Sequence, residues 1–174
     1  MFTELNVLEL FFESPSKEFN VREVARLRDI NPATASKRLK ALRERHLLTY
    51  RKERMLDLYR ADSDSDAYRD IKVYYNIRKL KDSGLIEALN KFYIKPTIIL
   101  FGSASTGLDT ESSDIDIAIV CEKITEFPEI KKFEKRVKRS LQLFVVKGLN
   151  ELRNKHLVNN VLNGIVLQGE LKWI

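Results

Sequence analysis

The sequence predicts an α+β protein in two parts: a helical N-terminal part closed by a β-hairpin, then a small α/β part with helices packed on a mixed sheet. Three observations lead there. Apolar residues recur at helical spacing as far as Leu48; from Thr97 onward short β-branched runs alternate with helical stretches; and Ala61-Asp-Ser-Asp-Ser-Asp66 is a polar, turn-rich break between the two patterns. A chain of 174 residues can hold two such parts, each with a modest core. At 44% hydrophobic and 32% charged, with 6 Gly and 4 Pro, the composition excludes disordered, collagenous and low-complexity classes.

Leu5, Leu8 and Phe12 define a first helix, closed by Ser14-Pro15-Ser16. Asn20 with Glu23 three residues on forms a capping-box pattern and opens a short helix through Arg28. Asn31-Pro32 opens a third helix, with Asn as the cap and Pro at the first helical position. Ala35, Leu39, Leu42 and His46 fall on its buried stripe, whereas Ser36, Lys37 and Lys40 point away from it and Thr34 lies near the N-terminal end. Thr49-Tyr50-Arg51 and Leu56-Asp57-Leu58-Tyr59 read as two strands around a turn at Lys52-Glu53-Arg54. Beyond the break, a long helix from Ala67 to Lys81 ends at Ser83-Gly84, and a shorter one runs from Leu85 to Phe92. Thr97–Phe101 is a buried strand, followed after Gly102 by a turn and a short helix. Then come a strand from Asp114 to Val120, a charged helix opened by Pro128, a strand from Leu141 to Val146, a last helix from Leu149 to Leu162 and a final strand from Ile165 to Gln168. The boundaries expected are a domain over 1–62, a helical connector over 63–94 and a second domain over 95–174.

The net charge of +6 is moderate, but its placement is uneven. Lys37, Arg38, Lys40, Arg43, Arg45, Arg51, Lys52, Arg54 and Arg60 face only Glu44, Glu53 and Asp57 in that stretch, which suggests a polyanionic partner; a solvated charged face is the commoner meaning of a charge run. Lys131, Lys132, Lys135, Arg136, Lys138 and Arg139 form a second cluster, for which solvated surface is preferred over contact with a triphosphate or nucleic acid. Cys121 is the only cysteine, which excludes an internal disulfide or a cysteine-based zinc finger, and it is expected to be buried. His46 and His156 are read as structural rather than metal-binding. No stretch approaches the roughly 18 apolar residues of a membrane span, and the start lacks a basic signal-peptide region, so no membrane association and a cytoplasmic location are expected.

The segment that carries chemistry is Phe101-Gly-Ser-Ala-Ser-Thr-Gly-Leu-Asp-Thr-Glu-Ser-Ser-Asp114-Ile-Asp116-Ile. A buried strand runs into Gly102-Ser103 and a helix start, where backbone N–H groups, the Ser103 hydroxyl and the absence of a Cβ at Gly102 suit a phosphate. Gly102 to Gly107 has the spacing of a Walker A loop, but Leu108 and Asp109 stand where that motif needs Lys and Ser/Thr. Asp114 and Asp116, two apart on a strand, project from one face while Ile115 and Ile117 pack on the other. Two such carboxylates repel unless a cation lies between them, and Mg²⁺ fits that need.

Gly-Ser, a further Gly and then Ser-Asp-Ile-Asp resemble the signature of the DNA polymerase β-type nucleotidyltransferase superfamily, and most of all the minimal nucleotidyltransferases of prokaryotes, over Lys95 to Ile174. Asn163-Gly-Ile-Val-Leu-Gln-Gly169 is similar to their closing strand. The resemblance implies Mg²⁺-assisted transfer of a nucleoside monophosphate from an NTP to an acceptor hydroxyl. Gly102 and Ser103 would hold the β/γ-phosphates, and Asp114 and Asp116 would be the catalytic, metal-holding carboxylates. The sequence departs from the pattern twice: Thr106 replaces an Arg frequent before the second Gly, and Gln142 occupies the place matching the third carboxylate. Glu122 and Glu170 are the candidate substitutes for it.

Three helices and a basic hairpin over Met1 to Arg60 resemble a winged helix-turn-helix. That implies double-stranded DNA as a partner, with Thr34, Ser36, Lys37 and Lys40 reading the site and Arg51, Lys52 and Arg54 holding the backbone; a helical module that docks another protein is the alternative. Three functions stay open: a nucleotidyltransferase directed to DNA or to an operon-linked partner, a DNA-binding regulator whose second domain binds nucleotide or dimerises without turnover, and an antitoxin-like protein that modifies or masks a toxin.

Overall fold

The computed structural model describes residues 2–152 and 154–171, without the side chains of residues 2–5, so the placement of the Leu5 side chain lies outside the described residues. The chain divides into two compact units, Met1–Lys72 and Val73–Ile174.

The first unit contains α1 (Phe2–Glu13), β1 (Phe19–Asn20), α2 (Val21–Leu27), α3 (Pro32–Glu44), β2 (Leu48–Glu53) and β3 (Leu56–Ala61). The two expected caps form. Asn20 Oδ1 accepts from Glu23 N at 3.0 Å while Glu23 accepts from Asn20 N at 2.9 Å, and Asn31 Oδ1 accepts from Thr34 N at 2.7 Å. Val7, Leu8, Phe11, Phe12, Val24, Ala35, Leu39 and Leu42 are buried. The Tyr68 hydroxyl, also buried, donates to Phe11 O at 2.9 Å. His46 does not lie on the buried stripe. It follows the C-cap Arg45 in the left-handed region, at φ 55°, and is exposed. Its N–H donates to Arg43 O, and Leu47 N–H reaches back to Leu42 O at 3.0 Å, so the chain reverses and Leu47 is buried instead. β1, a two-residue strand that periodicity did not reveal, pairs antiparallel with β3, giving the order β1-β3-β2. The hairpin strands are longer than expected and turn at Arg54-Met55, with Arg54 at φ 52°.

α4 (Asp66–Asp82) starts in the first unit and ends in the second. The second unit continues with α5 (Leu85–Tyr93), β4 (Thr97–Phe101), α6 (Ser103–Thr106), β5 (Ile115–Val120), α7 (Ile130–Val137), β6 (Leu141–Val146), α8 (Lys155–Leu162) and β7 (Ile165–Gln168). Its sheet is mixed, in the order β6-β5-β4-β7, with β5 and β6 parallel and the other pairs antiparallel. On one face Ile98, Leu100, Ile115, Ile117, Ile119 and Leu141 pack in a buried cluster with residues of α4, α5 and α7. The other face carries a smaller cluster, Ile99, Phe101 and Ala118 with Val161 of α8. The expected last helix is in two pieces, a 3-10 turn at Leu149–Glu151 and α8, because Asn154 caps the latter by accepting from His156 N at 2.9 Å. Cys121 is half-buried rather than buried, and its thiol donates to Lys123 O at 3.3 Å.

Candidate functional site

The site forms where β4 ends. Phe101 pairs with Asp116, and Asp116 pairs in turn with Gln142, so these three lie side by side across β4, β5 and β6. Alternation along β5 puts Asp116 on the face opposite Ile115 and Ile117, and Asp114, the residue before Ile115, shares that face. Asp114 is exposed and Asp116 half-buried. Burial, and secondarily the nearby charge of Asp114, pushes the Asp116 carboxyl above the ordinary carboxylate value.

Gly102 has φ 69° and ψ −157°, a region essentially reserved for glycine, and a Cβ there would collide with Asp116 Oδ2. The missing side chain therefore makes room first of all for the carboxylate on the next strand. Gly102→Ala is expected to cost about 2 kcal/mol of stability from backbone strain alone, with Asp116 displaced as well. Urea unfolding of the variant beside wild type measures it; an unchanged midpoint would mean that the turn adapts without cost.

After Gly102 the chain makes one helical turn, α6, ended by Gly107 at φ 72°. A helix of four residues has little of the end field expected from the sequence, so what the turn offers a ligand is its local N–H groups and hydroxyls. The hydroxyls of Ser105 and Thr106 are spent on Gly102 O at 2.8 Å and Ser103 O at 3.0 Å. Ser103 is half-buried at the first helical position.

Sequence reading missed the buried residues behind this turn. The Asn76 side-chain amide donates to Ala104 O at 3.0 Å and to Asp109 Oδ1 at 2.9 Å. Arg139 pairs with Asp109 at 3.1 Å and donates to Ser113 O from Nε at 2.8 Å and Nη2 at 2.5 Å. Side-chain exposure is 1% for Asp109 and 8% for Arg139, so this member of the second basic cluster is internal. The break after α7 explains why: Lys138 takes the left-handed region at φ 54° and turns Arg139 away from the exposed helix face. Lys131, Lys132, Lys135, Arg136 and Lys138 are exposed.

Glu122 and Glu170 lie elsewhere. Thr97, which bonds Glu170 O at 2.8 Å, pairs with Val120, and Glu122 follows that strand end. Four strand positions, about 13 Å, separate Val120 from Asp116. The two carboxylates that remain fit a hard divalent ion whose other ligands are substrate oxygens and water. Among the described residues no group of three or more His, Cys, Asp and Glu gathers that could hold a metal by itself.

In the first unit Lys37 and Lys40 are exposed on α3, with Thr34 and Ser36 half-buried beside them. Lys52 and Arg54 are exposed at the hairpin, next to Met55 at 94% exposure. Arg51 differs from them. Its guanidinium bonds both Glu18 oxygens at 2.7 and 2.6 Å and Glu53 at 2.5 Å, and holds the Glu18 carboxyl below its ordinary range.

A glycine-serine turn ending one strand, set against two carboxylates on the next, suits an anionic substrate accompanied by a hard cation. Over residues 84–170, half of its length, the chain matches the family described as Polymerase beta, Nucleotidyltransferase, and it belongs to that family. Membership supports nucleotidyl transfer in general and implies an NTP substrate, and members generally use a divalent metal. No curated protein matches the chain. Among the described residues no helix is long and apolar enough to cross a membrane.

Proposed function

We propose that this chain is a nucleotidyltransferase of the minimal prokaryotic kind, transferring a nucleoside monophosphate from NTP to an acceptor hydroxyl with Mg²⁺, and that its first unit is a winged helix-turn-helix directing it to double-stranded DNA. The observation that carries the transferase reading is the apposition of Gly102 and Asp116, in a chain of this family. Gly102 and Ser103 hold the β/γ-phosphates, the Ser103 hydroxyl donating to a phosphate oxygen. Asp114 and Asp116 hold Mg²⁺. When bound, Mg²⁺ would neutralise triphosphate charge and favour loss of the acceptor proton. The acceptor hydroxyl gives up its proton to solvent water, its oxygen forms a bond to the α-phosphorus, the bond from that phosphorus to the bridging oxygen breaks, and pyrophosphate leaves with the electron pair. Gln142, beside Asp116, adds no negative charge and is a poor base for the acceptor proton, so binding should exceed turnover.

Gln142 also favours a second reading, a DNA-binding regulator that senses NTP·Mg²⁺ without transfer. Incubation with labelled NTPs, Mg²⁺ and candidate acceptors, including DNA, a toxin or operon-linked protein and the chain itself as a homodimer, separates the two. Label in an acceptor supports the transferase; metal-dependent binding with no label in any acceptor supports the regulator.

DNA binding rests on the uneven charge and on the exposed α3 and hairpin residues. Phosphate contacts release counterions, so affinity should fall steeply with salt, and Lys52→Ala or Arg54→Ala should flatten the slope by about 1. Arg51→Ala should flatten it less, because Glu18 and Glu53 already offset that charge. Thr34, Ser36, Lys37 and Lys40 should govern sequence choice. Fluorescence anisotropy on duplexes across a KCl series is the measurement, and salt-independent binding, or none to any duplex, would leave the protein-docking module as the better reading.

A further inference from the structure

The geometry points to Arg139 and Asp109 as positioning residues for the cation site: together with Asn76 they lock the segment between the Gly-Ser turn and Asp114, and so set the mutual placement of Ser103, Asp114 and Asp116. The inference rests on the nucleotidyltransferase reading above. The connection between β4 and β5 contains the α6 turn and the Thr110–Ser113 turn, with Asp109 between them. Both are held from behind. Asn76 binds the first turn through Ala104 O and reaches Asp109 Oδ1 with the same amide nitrogen. Arg139 binds the second turn through Ser113 O, the carbonyl immediately before Asp114, and pairs with Asp109 Oδ2.

A guanidinium at 8% exposure and a carboxylate at 1% are costly to bury unless each is well paired, and here the pair also satisfies main-chain groups. The fork geometry matters: Nε and Nη2 share one carbonyl while Nη1 takes the carboxylate, which a lysine ammonium cannot reproduce. Further bonds continue the lock into the sheet, from Ile115 N to Ser140 O at 2.9 Å and from Leu141 N to Glu134 Oε1 at 3.2 Å. The residue next to Arg139 thus registers the start of β5 on β6, the row in which Asp116 meets Gln142. Two carboxylates that repel one another need such a frame if they are to be preorganised before a cation arrives.

The test uses the full chain and two conservative variants, Arg139→Lys and Asp109→Asn, the second keeping an acceptor for Asn76. Amide hydrogen exchange of metal-free protein is read over Thr110–Ile115, with Ile98–Leu100 as internal reference. Mn²⁺ affinity is read by electron paramagnetic resonance with each of the four nucleoside triphosphates, beside triphosphate binding in EDTA. The expected result is exchange at least about tenfold faster over Thr110–Ile115 with the reference unchanged, and Mn²⁺ affinity with triphosphate weaker by about tenfold while binding in EDTA is unaltered. Unchanged local exchange, or faster local exchange with unchanged Mn²⁺ affinity, would overturn the proposal, as would both variants loosening reference and loop alike. Wild-type protein that holds Mn²⁺ with none of the triphosphates overturns the nucleotidyltransferase reading itself, while the exchange measurement still decides whether Arg139 fixes the loop.

Discussion

Asp116→Asn is expected to weaken Mg²⁺-dependent triphosphate binding by about a hundredfold, ~2.7 kcal/mol, and at the same time to stabilise the metal-free fold at neutral pH. Both effects have one cause. Burial, with the charge of Asp114 adding to it, holds the Asp116 carboxyl above 3.8, so the folded chain binds that proton more tightly than the unfolded chain does. Stability therefore falls as pH rises through the interval above 3.8, and the deficit is complete once the folded carboxyl has ionised. Asn cannot ionise and escapes the deficit, but it also withdraws one of the two charges on which a hard cation depends. Thermal unfolding in EDTA should show the variant melting above wild type at pH 7, the gap closing toward 3.8 and below it. Adding Mg²⁺ with NTP should reverse the order. Equal triphosphate affinity of wild type in EDTA and in Mg²⁺ would defeat the two-carboxylate reading.

Gln142→Asp is expected to raise nucleotidyl transfer by about a hundredfold, ~2.7 kcal/mol of barrier, with triphosphate affinity changed by no more than about threefold. Gln142 is exposed and pairs with Asp116 across β5 and β6, so a carboxylate there would join Asp114 and Asp116 near the start of these two strands. A third anion can help hold the ion that activates the acceptor hydroxyl and can draw off its proton, tasks for which the Gln side chain has neither charge nor basicity. In the proposed function triphosphate binding depends mainly on Gly102, Ser103 and the two existing carboxylates, which is why rate and affinity should separate. Single-turnover transfer and equilibrium binding on the same samples distinguish the two quantities. If wild type already transfers rapidly and the variant matches it, Gln142 is not the missing third group. Glu122 and Glu170 would then be poor replacements, since both sit toward the Thr97–Val120 end of the sheet.

Much of this protein was legible in its sequence wherever the deciding interactions are short in range. Asn20, Asn31 and Glu23 cap helices through bonds three residues long. The β-branched run at Thr97–Phe101 and the alternation of Asp114, Ile115, Asp116 and Ile117 are properties of a strand in isolation. The Gly-Ser and Asp-x-Asp elements could be paired on paper because the connection between them is short. Where local rules failed, a tertiary contact outweighed them. His46 keeps the helical period yet turns out to solvent because Leu47 takes the buried place, and β1 is too short to register as a strand without β3.

The sequence by itself determined the order of the longer helices and strands, the concentration of positive charge between Asn31 and Arg60, and the Gly-Ser and Asp-x-Asp elements on which the proposed triphosphate and cation site rests. Only the tertiary structure decided which of these residues meet. Sheet register set Gln142 beside Asp116 and Glu122 and Glu170 beyond reach. Contacts across 30 and 33 residues turned Arg139 and Asp109, one counted among surface charges and the other only as a break in a phosphate-loop pattern, into a buried brace behind the site. A cap or a strand face is set by a few neighbouring bonds that any reader of the chain can count, whereas a buried ion pair forms only after the sheet has closed and removed the water that would otherwise solvate its charges.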